Sequence, residues 1–221
     1  MTVSSEAVFG IALMRWIEKA LVAVNDSKAA LHAFTEALRL SLVYGFRLEA
    51  VCVAPPFQGD LSWVGVKDLK RSRAEPCRTV LDEAARMAGE AGAGLATFAA
   101  EGDRIEAILQ VAAKGAYNLI ILGQEPGIPW TTVGSLTAGL LRHSPVDLLV
   151  IPKGQPVRFD HVVRARSRSL LKQARPIDVD LVVWEHDGLR EAWWASVVGT
   201  PLYRVVRQSN RPVWIEKASV R

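Results

Sequence analysis

The chain has 221 residues, 50% hydrophobic and 23% charged, a composition that suits a folded globular protein with one sizeable core. Two cysteines, Cys52 and Cys77, and four histidines without metal-ligand spacing give neither a disulfide framework nor a zinc module, and a reducing cytoplasm is the expected setting. The net charge of +4 is unevenly spread: residues 1–151 hold 14 Lys and Arg against 16 Asp and Glu, a balance of −2, whereas residues 152–221 hold 13 against 7, a balance of +6. A basic tail can meet nucleic acid, an acidic partner or anionic lipid, but a solvated face is the commoner explanation, and nucleic acid ranks low among the expected partners.

The opening run, residues 7–17 (AVFGIALMRWI), is interrupted by Arg15 and preceded by Glu6. It is too short to span a bilayer and lacks the basic start of a signal peptide. Phe9, Leu13, Trp16 and Ile17 fall at helical spacing, so residues 1–18 are expected to form a docking helical extension.

From residue 20 onward, short apolar runs alternate with amphipathic stretches. Strand 21–24 leads into a helix over 26–44, whose Ala30, Leu31, Phe34, Ala37, Leu38 and Leu42 follow a 3.6-residue repeat up to Gly45, a natural terminator. Strand 47–53 runs into Pro55-Pro56 and a loop expected to reach residue 74, followed by a helix over 75–88. Strand 95–100, helix 105–114, strand 118–122, a Gly/Pro loop over 123–133, helix 135–142 and strand 148–151 complete the pattern. Such alternation predicts a doubly wound α/β sheet of five parallel strands with right-handed crossovers.

The tail resembles what precedes it. Residues 133–151 laid over 198–216, an offset of 65, match Val, Gly, Arg and Ser identically; upstream, an offset of 62 places Asn118-Leu119-Ile120-Ile121 over Asp180-Leu181-Val182-Val183. Residues 158–217 therefore read as a partial second copy, strand-helix-strand-helix-strand, without the first two strands. Half a copy cannot enclose a core alone. Trp184, Trp193, Trp194 and Trp214 would supply contact area, and a strand at 212–216 is expected to pair with strand 148–151.

The ordered set Leu21-Val22-Ala23-Val24-Asn25-Asp26-Ser27, Gly102-Asp103, Asn118-Leu119-Ile120-Ile121-Leu122-Gly123, and Gly134-Ser135 with Leu141-Arg142-His143-Ser144-Pro145 resembles the universal stress protein family across residues 19–152. The resemblance implies strand order 3-2-1-4-5 and a dimer through the last strand, made either between two chains or, here, within one chain as a pseudo-dimer. It also implies a tandem reading of the tail. Some members of that family bind ATP, through an Asp after the first strand and a loop of pattern G-x2-G-x9-G-S/T after the fourth. Glycines in such a loop let backbone N–H groups converge on phosphate, and the following helix adds its positive N-terminus.

On that resemblance, Asn25 and Asp26 would lie near the ribose or adenine of ATP or AMP. Val53 would offer backbone contacts to the base, and Gly123, Gly127, Gly134, Ser135 and Leu136 would face phosphate. The sequence departs from the family pattern at Asn25, and the loop reads Gly123-x3-Gly127-x6-Gly134-Ser135, with Pro126 and Pro129 inside it. A loop two residues shorter and missing two N–H donors is a weaker phosphate cradle. In the tail, Glu185 takes the place of Gly123, so no nucleotide is expected there.

Other chemistry has simpler explanations. His143 suits a helix C-terminus, and His32, His161 and His186 stand apart from any Cys or carboxylate pair. Helix capping by Asp26 or Ser27 is a simpler reading than a nucleophile set of Ser27, Asp26 and His143, since no G-x-S-x-G elbow, SGG-x-D-S loop, Walker loop or dinucleotide fingerprint is present. Arg164, Arg166 and Arg168 alternate as on one strand face, extended by Lys172 and Arg175, yet without interleaved aromatics. Trp63 and Trp130 fall in expected loops. The expected function is a cytoplasmic, non-catalytic regulatory module acting through dimerisation and protein contacts, with adenine nucleotide as a candidate effector and no metal. The alternatives are an interaction or scaffold protein without nucleotide and, last, a slow ATPase using Asp26 or Glu125 for an ordered metal.

Overall fold

The computed structural model describes residues 12–54, 66–125, 135–165, 179–186 and 210–217. In chain order the elements are β1 (Lys19–Ala23), α1 (Lys28–Tyr44), β2 (Arg47–Ala54), α2 (Val66–Glu90), β3 (Ala96–Glu101) and α3 (Arg104–Lys114). They continue with β4 (Leu119–Gln124), α4 (Ser135–His143), β5 (Asp147–Pro152), β6 (Val162–Ala165), β7 (Leu181–His186) and β8 (Val213–Lys217). Among the described residues, eight strands form one sheet in the order β3-β2-β1-β4-β5-β8-β7-β6. The expected five-strand order 3-2-1-4-5 occupies one side of it, with every neighbouring pair parallel.

The central strands read as continuous apolar runs because both faces are covered. Alternate side chains enter two cores: Val22, Leu119, Ile121, Leu149 and Ile151 pack with Phe34 of α1 and Leu81 of α2. Leu21, Ile120, Leu122, Leu148 and Val150 pack with Ile108 of α3 and Leu140 of α4. Two helices on each face is the double winding that the alternation predicts.

The helix ends follow their chemistry. Ser27 caps α1 by accepting from the Ala30 N–H at 3.1 Å, and Gly45, at φ 79, closes it with its own N–H on the Ser41 carbonyl. A left-handed φ of this kind is where glycine is cheapest. Asp103 caps α3 by accepting from Ile105 and Glu106. The expected loop over 55–74 is too long: α2 begins at Val66 and carries Pro76 in its interior. Pro76 imitates a helix start, since proline is favoured at the first helical position, whereas the Lys, Arg and Leu residues ahead of it are good helix formers that continue the helix backwards.

At the N-terminus, residues 12–15 are helical, with Leu13, Met14 and Ile17 buried in the first core. Trp16 departs from the expected docking face and is 77% exposed. Phe9 lies outside the described residues.

The tail joins the sheet through β8, which pairs antiparallel with β5: Leu148 faces Ile215, Leu149 faces Trp214 and Val150 faces Val213. This is the pairing expected between 212–216 and 148–151. Trp214 and Trp184 are buried, one in each core; Trp193 and Trp194 lie outside the described residues. β7 continues parallel to β8, and β6 parallel to β7. One face of α1 fastens the connection from β5. His32 Nε2 meets the Gln155 carbonyl at 2.9 Å, Glu36 accepts from the Val157 N–H at 2.9 Å, Arg39 donates to the Val157 carbonyl, and Tyr44 stacks edge-on to Phe159 at 5.7 Å. Positions 32, 36 and 39 are spaced to share one helix face.

Candidate functional site

In an open α/β sheet the place where the chain turns from one direction of winding to the other leaves a crevice at the carboxyl ends of the strands. Here β2 lies on one side of β1 and β4 on the other. A cavity of about 360 Å³ opens at that point, walled by the ends of β1, β2 and β4, the start of α3, and one side each of α2 and α4. Such a size and position suit a small organic ligand.

Five of the eight residues singled out from the sequence line this cavity: Asn25, Asp26, Val53, Gly123 and Leu136. Gly127 and Gly134 lie outside the described residues, and Ser135 opens α4 without a described side chain. Asn25 is partly committed to local structure, since its Oδ1 accepts from the Ser27 N–H at 3.0 Å. Asp26 is exposed at the cavity wall.

Gly123 has a packing role that sequence reasoning did not give it. A Cβ placed there would stand 2.2 Å from the Ala29 carbonyl oxygen and 2.7 Å from the Ala30 nitrogen. The end of β4 therefore presses directly on the first turn of α1, a closeness only glycine permits. Just beyond, Glu125 Oε1 accepts from the Ala29 N–H at 3.1 Å and its other oxygen faces Lys153 Nζ at 3.4 Å. A carboxylate thus uses a first-turn amide of α1, a position favourable for negative charge.

Among the further lining residues not read from the sequence as site residues are Cys52 on β2, Cys77 on α2, Arg104 at the start of α3 and Thr137 on α4. Arg104 follows Gly102-Asp103, a pair that entered the sequence reading only through the family resemblance and says nothing of which way the next side chain leans. The cysteines are 25 positions apart in the chain and meet only because α2 folds back over β2. Burial, then the neighbouring Cys77 thiol and the Asp26 charge, pushes the Cys52 thiol well above its ordinary range. Both are free thiols.

Elsewhere the expected basic stripe is represented by Arg164, which faces Glu216 at 3.5 Å; Arg166, Arg168, Lys172 and Arg175 are outside the described residues. His161 lies 3.6 Å from Asp180. Among the described residues no three His, Cys, Asp or Glu side chains are grouped to hold a metal, and no helix is long and apolar enough to cross a membrane.

A doubly wound sheet with its cavity at the switch point defines an α/β ligand-binding class of fold. The chain belongs to the universal stress protein family, whose family model matches residues 17–152. A crystal structure of a universal stress protein family member from Burkholderia pseudomallei is similar over 61% of this chain and 96% of its own, at 29% identity and TM-score 0.51. Two longer likenesses take in the tail. A universal stress protein from Archaeoglobus fulgidus matches 90% of this chain and 96% of its own at 15% identity and TM-score 0.71. A Pseudomonas aeruginosa protein described as functionally unknown matches 93% of this chain and 94% of its own, at 15% identity and TM-score 0.64. No curated protein matches the chain.

Proposed function

We propose that the chain is a non-catalytic, cytoplasmic regulatory module that binds an adenine nucleotide at the β1–β2–β4 cavity and presents a pseudo-dimeric surface built within one chain. The observation that carries the nucleotide reading is the convergence of Asn25, Asp26, Val53, Gly123 and Leu136 on one cavity of about 360 Å³. Arg104, at its wall, adds a cation for a phosphate group.

The same site sets the preference among nucleotides. A nucleoside and its first phosphate draw on the cavity and Arg104. Later phosphates depend on the loop from Gly123 to Ser135, which is two residues shorter than the family's binder pattern and lacks the N–H donors of Pro126 and Pro129. AMP is therefore expected to bind at least as well as ATP.

The pseudo-dimer reading treats residues 158–217 as a partial second copy. Its support is the register at the β5–β8 seam: Leu149 faces Trp214, the residue that the 65-residue offset makes its counterpart. Two equivalent strands meeting about a two-fold axis pair in this way, with the central residue opposite its own equivalent. β8 then fills from within the edge that a second chain would otherwise cover.

The test is thermal unfolding of the full chain with millimolar AMP, ADP and Mg-ATP. A ligand at about a hundred times its dissociation constant adds about 2.7 kcal/mol, a shift of several degrees for a chain of this size. Asp26→Ala is expected to shrink the AMP shift while leaving the ligand-free melting temperature in place. No shift with any nucleotide, in protein verified to be nucleotide-free, would remove this reading and leave an interaction module.

A further inference from the structure

Cys52 and Cys77 are the two cysteines of the chain, and the fold brings both to one cavity wall. Cys52 stands on β2 immediately before Val53; Cys77 stands on α2 immediately after Pro76. Each is 4% exposed to solvent, both are reduced, both belong to the same core cluster between β2 and α2, and Cys77 is near enough to push the Cys52 thiol up. Nothing in the packing of β2 against α2 requires sulfur, since alanine and leucine fill the neighbouring inward positions Ala50, Leu81 and Ala84. A pair of neighbouring thiols, carried on two packed elements and lining one ligand-sized space, is an arrangement with its own chemistry.

We infer that Cys52 and Cys77 form a redox couple that closes to an intramolecular disulfide, fastening α2 to β2 across the cavity. The oxidant is a low-molecular-weight disulfide of the glutathione type. One cysteine thiolate attacks a sulfur of that disulfide, forming a mixed disulfide and expelling one small thiolate, which takes up a proton. The second cysteine, deprotonated, attacks the protein-bound sulfur and expels the second small thiolate. The protein loses two hydrogens and two electrons, and the small disulfide is reduced to two thiols.

Forming the bond draws the two sulfurs together to about 2.05 Å. The α2 wall then moves onto β2 beside Val53, and the space for a base narrows. Because burial, then the neighbouring Cys77 thiol and the Asp26 charge, push the Cys52 thiol up, closure is expected to accelerate as pH rises, since the thiolate is the attacking form. That the closed form excludes nucleotide rests on the nucleotide reading above; formation of the disulfide does not.

The experiment incubates the full native chain in glutathione buffers of increasing oxidation and reads the intact mass without reductant. The expected product is a monomer lighter by two hydrogens, with the segments around Cys52 and Cys77 joined on peptide mapping. Cys52→Ser and Cys77→Ser should each stop at a glutathione adduct or stay unmodified. Persistent adducts on the native chain, disulfide-linked dimers, or no reaction under conditions that oxidise the urea-unfolded chain would overturn the proposal. In the second arm, AMP shifts the melting temperature of the reduced chain and the shift is lost on oxidation; a shift that survives oxidation overturns the closure of the cavity. A chain that forms the disulfide yet answers to no nucleotide in either state upholds the couple and removes the nucleotide reading instead.

Discussion

Glu49 sits inside β2 at 1% exposure, at the end of the sheet away from the cavity. A buried carboxylate is tolerable only when its lone pairs are occupied, and here Arg47 Nε lies 2.9 Å and Lys19 Nζ 3.2 Å from its Oε1 while Tyr117 donates its hydroxyl to Oε2. Lys19 is held in turn by the Gly115 carbonyl at 3.2 Å and by the face of the Tyr117 ring at 4.3 Å. Burial alone would raise the Glu49 pKa, but the hydrogen bonds from Tyr117 and Lys19 and the charges of Lys19 and Arg47 outweigh it, so the pKa lies below its ordinary 4.5. A carboxylate depressed in the folded state contributes stability that is present above its unfolded pKa and lost as pH falls through the folded one. Glu49→Gln is therefore expected to lose roughly 2 kcal/mol at pH 7, the worth of a hydrogen bond to a charged group. Its deficit should narrow below pH 4.5, where the native chain loses the same contribution. Urea unfolding at pH 7 and at successive acid values measures this, and a constant deficit across the range would show that the charge of Glu49 is not what β2 depends on.

Among the elements, the seam between β5 and β8 is held by a side chain as well as by its backbone ladder. Asp147 accepts from the Trp214 indole at 3.0 Å and from the Lys217 backbone N–H at 2.9 Å, while Lys217 Nζ reaches the Leu141 carbonyl at the end of α4. Burial raises the Asp147 pKa, and those two hydrogen bonds and the Lys217 charge offset only part of it. Asp147→Ala removes the acceptor of the buried Trp214 indole N–H and should cost about 1–3 kcal/mol, with a change in Trp214 fluorescence marking where the loss occurs. Asp147→Asn keeps one acceptor and sheds the disfavoured charge, so most of the stability should return. A loss in Asp147→Ala too small to measure would argue that the carboxylate does not hold the seam, and equal losses in the two variants would show that both of its oxygens must accept. Elements of this kind were legible where one residue type declares a local state. Ser27 and Gly45 marked helix ends, and the apolar runs of β1, β4 and β5 marked buried strands. The start of α2 was obscured because Pro76 suits a first helical turn as well as it suffers an interior one. The Glu36 and Arg39 clamp on Val157, like the meeting of Cys52 with Cys77, depends on which faces the packed elements turn to each other, and no local spacing encodes that.

For the whole molecule, the question is what covers β5. In the intact chain β8 lies along it, and the connection before β6 adds Val157 and Phe159 to the core shared with α1. Removing everything after Gly154 uncovers the hydrogen-bonding edge of β5 and the α1 face that carries Glu36 and Arg39. It also takes Trp214, 0% exposed, from against Leu149. An apolar strand edge with unpaired N–H and C=O groups seeks another strand, and the partner of matching register is the same edge of a second truncated chain. The truncated chain is therefore expected to be less stable than the intact one and to dimerise, whereas the intact chain stays monomeric at the same concentration. Sedimentation equilibrium on both proteins reads the outcome directly. If the tail were a separate module resting on a finished domain, truncation would leave a monomer of unchanged stability. If the tail stands in for a second subunit, losing it converts an intramolecular contact into a concentration-dependent one, and the dimer should weaken when Leu149→Lys places like charges opposite each other at the axis of the seam.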